Sequence, residues 1–306
     1  MATQTFDNRP GFIWMNGALV PWTDARLHVL SHAMHYASSV FEGERAYGGV
    51  IFKGHEHHLR LKQSAEILDF TLPYSVEEID AAADAVVAAN KLTDAYVRPV
   101  AWRGSEMMGV SAQATKINVA IAAWEWPAYF SPELKAKGIR LDMAPWRRPA
   151  PDSAPTQSKA AGLYMICTMS KHAAERKGFQ DALMLDYRGL VAEATGANVF
   201  LVIDGQIHTP IPDCFLNGIT RRTVIALARR EGFEVIERQI AVEDLDKASE
   251  VFLTGTAAEV TPVGEIAGRH YNPGRVCHTL VDAYQAEVRK PAEQWVETAL
   301  PALEAA

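Results

Sequence analysis

The first third of the chain opens on short apolar runs broken by turn-forming residues, the pattern of strands joined by tight turns. In "FIWMNGALVPW" (12–22) an Asn16-Gly17 pair separates two apolar segments. Both positions of such a pair accept positive φ, so the stretch predicts a hairpin. A second hairpin is predicted in "RAYGGVIFKG", turning at Gly48-Gly49. The pattern then changes to that of a helix in "HEHHLRLKQSAEIL" and in "SVEEIDAAADAVVAANK", the latter with Ser75 as N-cap before Glu77 and Glu78. "AYVRPVAWRG" and "INVAIAAWEW" return to strand character.

Prolines at 127 and 132 break the pattern in "PAYFSPELKAKG". This predicts a smaller N-terminal α+β domain over 1–127, a linker over 128–138 and a larger C-terminal domain over 139–306. The second domain reads as a strand ("IRLDMAPW"), a helix from about 160 to 177 closed by Gly178, and a strand ("DALMLDY"). A hairpin turning at Asp204-Gly205 and a helix ("GITRRTVIALARREG") ending near Gly232 follow. "FLTGTAAEVTPV" reads most simply as a strand turning into a helix, and the end after Pro291 as a terminal helix or frayed tail. Strands and helices mix without strict βαβ alternation, so the fold class is α+β with mixed sheets, in two domains.

Composition narrows the function classes. The 306 residues exceed the usual size of a single core, with 48% hydrophobic and 22% charged residues. A net charge of -7 argues against a nucleic-acid partner, which needs clustered Lys and Arg. No apolar run approaches the roughly 18 residues of a membrane span, and "MATQTFDNRPGF" lacks the regions of a signal peptide. The expectation is a cytoplasmic protein. Cys167, Cys214 and Cys277 have no metal-ligand spacing, so no metal is expected.

One stretch asks for chemistry. In "TQSKAAGLY" Lys159 is followed by Ala160, Ala161 and Gly162, then by Tyr164. Small neighbours leave room for an amine that attacks a carbonyl, although a helix-surface lysine is the blander reading. If the amine held pyridoxal phosphate, it would need an acid near the pyridine nitrogen and donors for the phosphate. Glu193 in "LVAEATGANVF" is a candidate acid. Gly218, Ile219 and Thr220 open a helix, whose free N–H groups favour an anion. Gly255 and Thr256 offer a second set of donors.

Taken together and in order, "SHAMHYASSVFEGERAY", "AYVRP", "TQSKAAGLY", "AEATGANVF", "GITR" and "GTAAEVTPV" resemble class IV pyridoxal-phosphate enzymes, and among them the branched-chain amino acid aminotransferases. The resemblance implies the two-domain fold of that class, pyridoxal 5'-phosphate as cofactor, and amino acids and 2-oxo acids as substrates. It implies a ping-pong transfer between leucine, isoleucine or valine and 2-oxoglutarate. By the same resemblance Lys159 binds the cofactor and shuttles the α-proton, Glu193 meets the ring nitrogen, and Tyr164 meets the ring oxygen. Arg60, Leu216, Gly218, Ile219, Thr220 and Thr256 match the cofactor's phosphate side; from spacing alone Arg60 is a solvated helix residue. Tyr96 and Arg98 lie two apart on a strand and so share a face. With Arg45 and the turn Thr256, Ala257, Ala258 they match substrate contacts, and Phe41, Trp126 and Tyr129 match pocket walls. Tyr36 and Val110 match positions reached from the neighbouring subunit, which implies at least a homodimer.

Three segments depart from the family pattern: "FEGER", "GSEMMGV" and "EATGANVF". Glu44 stands where those enzymes commonly carry an apolar residue, often isoleucine. It reads either as a partner of Arg45 or Arg98 that alters the charge of the pocket, or as an exposed loop carboxylate. Alternatives on the same fold are an (R)-amine or D-amino acid transaminase, and an aminodeoxychorismate-lyase-like enzyme.

Overall fold

The computed structural model describes residues 5–126 and 132–298. They form two compact units. The first holds residues 5–126 together with Ser158–Gly162; the second holds 132–157 and 163–298. The short return of the chain to the first unit differs from a simple split at 138, because the five residues that carry Lys159 bond to the first unit.

The first unit contains β1 (Phe12–Met15), β2 (Ala18–Pro21), α1 (His32–Tyr36), β3 (Ser39–Phe41), β4 (Glu44–Tyr47) and β5 (Val50–Ile51). It continues with α2 (Gly54–Ile67), α3 (Val76–Ala89), β6 (Ala95–Arg103) and β7 (Ile117–Glu125). The expected hairpins form where the turn residues demanded them. Met15 pairs with Ala18 around Asn16 and Gly17 at φ 51° and 100°, and Tyr47 pairs with Val50 around Gly48 and Gly49 at 59° and 87°. Ser75 and Glu78 form a reciprocal capping box on α3. The sheet order is β2-β1-β7-β6-β4-β5, with β3 also on β6. One face of this sheet supplies Ala46, Val97, Ala101 and Ile121 to a core shared with Leu61 of α2 and Ile79, Ala83 and Val86 of α3. Cutting the fully buried Leu61 to alanine would cost about 2–5 kcal/mol.

The second unit contains α4 (Pro132–Lys137), β8 (Ile139–Met143), α5 (Met165–Glu175), β9 (Asp181–Leu185), β10 (Val191–Ala194) and β11 (Asn198–Ile203). Then come β12 (Gln206–Pro210), α6 (Ile219–Arg230), β13 (Val235–Arg238), β14 (Glu250–Gly255), β15 (Glu259–Ile266), β16 (Arg269–His270) and α7 (Arg275–Glu287). The path β10-β9-β8-β15-β14-β11-β12-β13 is joined by a pairing of β10 with β11, which closes six strands into a ring. Leu141, Leu183, Val199, Leu201, Val251 and Val263 from those strands form one core.

Two expectations change, and one helix is new. The helix does not begin near 160: Ala160 is bridged to Val40, and a tight 3₁₀ turn over Ala161–Tyr164 precedes α5. "GTAAEVTPV" turns from strand to strand, with Gly255 paired to Glu259. A helix not read from the sequence, α7, is capped from outside its own segment, as the Glu250 carboxylate accepts the N–H groups of Gly274, Val276 and Cys277. That acceptor lies 24 or more residues away, which no local signal reveals.

Candidate active site

In the first unit the backbone holds Lys159 firmly. The Phe41 N–H donates to the Lys159 carbonyl at 3.2 Å, and the Lys159 N–H donates to the Ser64 hydroxyl at 3.0 Å. Ser158 donates its hydroxyl to the Ser64 carbonyl at 2.9 Å. The Lys159 amine stands 5.0 Å from the centroid of the Phe41 ring, and the Arg98 guanidinium 4.7 Å from the same centroid. Burial is the main force on this amine; Arg60 and Arg98 add repulsion, while Glu42 and Tyr96 oppose it, and the result is a pKa of about 8. An appreciable neutral fraction near pH 7–8 is what an amine needs to attack a carbonyl.

The remaining polar groups of this half come from two elements. Arg45 on β4 is opposite Tyr96 on β6 in register, and Arg98 is two residues on, so all three share the sheet face away from the helices. Arg98 donates to the Tyr96 hydroxyl at 2.9 Å, and the Trp126 ring lies 4.8 Å from that of Tyr96. A Cβ at Gly43 would fall 2.1 Å from the Tyr96 hydroxyl, so only glycine fits there. Arg60 on α2 is not solvated: it is 8% exposed, and its Nε and Nη2 donate to the two oxygens of Glu42 at 2.7 and 2.8 Å. Against the effect of burial, Arg60 and His57 hold the Glu42 carboxyl far below the usual carboxylate range.

Tyr36 and Val110 form a separate surface group. The Tyr36 hydroxyl donates to the Met108 carbonyl at 3.3 Å, His32 stacks on the Tyr36 ring, and Val110 is 84% exposed. Tyr129 lies outside the described residues. Glu44 meets neither expectation. It is fully buried on the helix side of β4, opposite to Arg45, and its carboxylate lies 3.2 Å from His58 Nε2. Successive residues of a strand point to opposite faces, which separates Glu44 from both arginines.

The second unit assembles the other candidates. Glu193 on β10 pairs in register with Asn198 on β11. The Asn198 amide donates to Glu193 at 3.2 Å and to the Leu216 carbonyl at 3.1 Å. Arg148, buried, brings its Nε to 3.3 Å from the other Glu193 oxygen. Gly218 precedes α6, which has no side-chain cap, so the amides of Ile219 and Thr220 open an uncapped helix end. A Cβ at Gly218 would come 2.3 Å from Asn198 Oδ1. Across from Asn198, Thr254 has a fully buried hydroxyl with no hydrogen-bond partner among the described residues. Thr256, Ala257 and Ala258 lie at the β14–β15 turn, and Tyr164, Thr195, Ala257 and Ala258 help line a cavity of about 220 Å³.

These features fit pyridoxal phosphate at both ends. An uncapped helix start with a buried, unsatisfied hydroxyl nearby suits a phosphate. An ion-paired carboxylate suits a protonated ring nitrogen, and Asn198 ties that carboxylate to the loop that opens α6. Sequence reasoning missed Glu42, Arg148 and Asn198. Glu42 and Asn198 stood inside motifs already noticed, next to Gly43 and five residues after Glu193. Arg148 lies 45 residues before Glu193, and nothing local pointed to it.

The sequence profile of the class IV amino-transferases matches residues 39–266. The branched-chain-amino-acid aminotransferase of Pseudomonas aeruginosa is 43% identical over 90% of this chain and 92% of its own length. The branched-chain-amino-acid aminotransferase of Escherichia coli K12 is 42% identical over 86% of this chain and 87% of its own length. A crystal structure of the T.th. branched-chain amino acid aminotransferase with pyridoxamine 5'-phosphate superposes with a TM-score of 0.90. It is 40% identical and covers 95% of this chain and 99% of that one. The same enzyme complexed with N-(5'-phosphopyridoxyl)-L-glutamate gives a TM-score of 0.89 at 40% identity, with the same coverage.

Proposed function

Since the chain belongs to the class IV aminotransferases, and within them to the branched-chain amino acid aminotransferase family, we propose that it moves amino groups between leucine, isoleucine or valine and 2-oxoglutarate, on pyridoxal 5'-phosphate. The observation that carries this reading is the lysine whose amine is brought to about 8 beside Phe41, Tyr96 and Arg98.

Bound pyridoxal phosphate supplies a carbonyl for the amine and a ring that accepts the electrons left on Cα. Lys159 would hold the cofactor through that carbonyl, and its amine, once free, would carry the proton at the substrate Cα. Glu193, steadied by Arg148 and Asn198, holds a proton at the ring nitrogen. Tyr164 orients the ring oxygen. In the first unit Arg60, braced by Glu42, would take a phosphate oxygen; in the second unit the amides of Ile219 and Thr220 and the hydroxyl of Thr256 are the candidate phosphate donors. Leu216 and Gly218 shape the loop before α6. In the first unit Tyr96 would take the α-carboxylate, and Arg98 and Arg45 the side-chain carboxylate of glutamate; in the second unit the Thr256, Ala257, Ala258 turn is the candidate donor to the α-carboxylate. Phe41 and Trp126 offer apolar walls to an aliphatic side chain. The working unit is a homodimer in which Tyr36 and Val110 serve the partner's site.

The test is the half-reaction without any acceptor. Cofactor-loaded protein is mixed separately with L-leucine, D-alanine and (R)-1-phenylethylamine, and the cofactor band is followed by absorbance. Fast conversion by L-leucine alone is the expected result. Silence with leucine and conversion by the D-amino acid or the amine would overturn the substrate assignment.

A further inference from the structure

The motif "FEGER" carries an ionisable network that the proposed chemistry does not use. His58 on α2 is 1% exposed and lies between two carboxylates: Nε2 is 3.2 Å from Glu44 of β4, and Nδ1 is 2.5 Å from Asp80 of α3. Nδ1 is hydrogen-bonded to Asp80 and Nε2 faces Glu44 without an aligned hydrogen bond, and two carboxylates around one buried ring favour its protonated form. Other charged groups near it are Asp84 of α3 and, through Asp80, His55 of α2. The Glu44 carboxylate has no well-aligned hydrogen bond among the described residues and rests on the ion pair with His58. Such a buried network is expensive, and an apolar set of similar volume is commonly as stable or more so. Stability therefore gives no reason to keep it.

Its position does. Glu44 is bracketed by groups that face the substrate side. Arg45 is the next residue on β4, in register with Tyr96. Gly43, on the other side, nests the Tyr96 hydroxyl, and that hydroxyl accepts from Arg98. One residue further back, Glu42 is bound by Arg60 and His57 of the same α2. The segment 42–45 is thus fastened to α2 at both carboxylates, and its middle glycine fixes where Tyr96 and Arg98 rest. The side-chain bridge at Glu44 adds to the β4–β6 ladder in fixing where Arg45 stands against Tyr96.

We propose that the Glu44–His58–Asp80 bridge positions Arg45, Tyr96 and Arg98 for a second carboxylate on the substrate, and so sets the preference for a dicarboxylic 2-oxo acid over a monocarboxylic one. The inference rests on the reading of this site as a transaminase acting on both kinds of acid. Glu44, His58 and Asp80 act here as positioning residues.

The test compares two acceptors on the pyridoxamine form of the holoenzyme: 2-oxoglutarate and 4-methyl-2-oxopentanoate. In Glu44→Ile/His58→Met, an apolar exchange, KM for 2-oxoglutarate is expected to rise about tenfold, the weight of one charge-assisted contact. KM for the monocarboxylic acid and both kcat values should hold. In the wild type the ratio of the two KM values should rise as pH passes about 9, where His58 loses its proton; in the double variant the ratio should stay flat. Glu44→Gln, which keeps shape and removes charge, gives a second reading should the double variant not fold. A ratio of KM values unchanged in the variants, with only the melting temperature moved, would reduce the bridge to a structural role. A wild type that fails to convert L-leucine at all would instead remove the transaminase reading, and the two failures are separate.

Discussion

Among single residues, Lys159 and Glu42 carry the sharpest expectations. Lys159→Ala should abolish turnover and the covalent, borohydride-reducible attachment of pyridoxal phosphate; a variant that keeps both would exclude this amine. The rate at which cofactor attaches to the apoprotein should follow the neutral amine, rising with pH and levelling above about 8. Glu42 touches no reacting atom, yet it fixes the guanidinium of Arg60 along two hydrogen bonds. Glu42→Gln keeps one acceptor and loses the charge that balances Arg60. Cofactor affinity should fall about tenfold, read by equilibrium dialysis of pyridoxal phosphate, since a charge-assisted bond contributes on the order of 1.5–3 kcal/mol. Glu42 was legible as a carboxylate beside Gly43, but its partner on α2 was not, because the two are 18 residues apart in chain order.

Elements were read well where the signal is local. The Asn16-Gly17, Gly48-Gly49 and Asp204-Gly205 turns and the Ser75 cap all depend on one to four residues whose φ/ψ or hydrogen bonding is chemically restricted. The start of α5 was misplaced because Ala160 has a helical neighbourhood in sequence and a bridge to Val40 in space. The opening of α6 yields a prediction at this scale: Gly218→Ala brings a methyl against Asn198 Oδ1. It should weaken cofactor binding with little change in secondary structure, as read by fluorescence titration and circular dichroism. The join of β4 to α2 and α3 yields another. Glu44 and Asp80 lift His58 to about 9 in spite of burial, against about 6.5 in the unfolded chain. The folded state binds the extra proton, so this contribution is complete below about pH 6.5 and fades as pH rises through 9. Melting temperature should therefore drop over that window in the wild type and drop less in Glu44→Ile/His58→Met.

The whole molecule divides its candidate machinery between two units. One carries Lys159, Arg60, Tyr96 and Arg98; the other carries Glu193, Tyr164 and the start of α6. Among the described residues no helix is long and apolar enough to cross a membrane. Val29, Met34, Tyr36 and Val110 are exposed apolar residues on the first unit, and the homodimer proposed above would cover them. Val110→Asp should shift the sedimentation of the protein toward a monomer and lower turnover with it; a fully active dimer would count against this assembly.

Local sequence was enough for the three turns, the Ser75 cap, the helices α2, α3 and α6, the mixed fold class and the motifs that carry the family resemblance. Each of these rests on steric limits at one residue or on periodicity over a dozen, and both are written into neighbouring side chains. The tertiary structure decided what those residues meet. It brought the backbone of Lys159 to Ser64 across 95 positions, closed β10 against β11, and turned Glu44 to His58 on one face of the sheet while Arg45 took the other. Contacts of that kind depend on strand register and on which elements pack together. Their free energy exists only once the chain is assembled, so no local pattern records them.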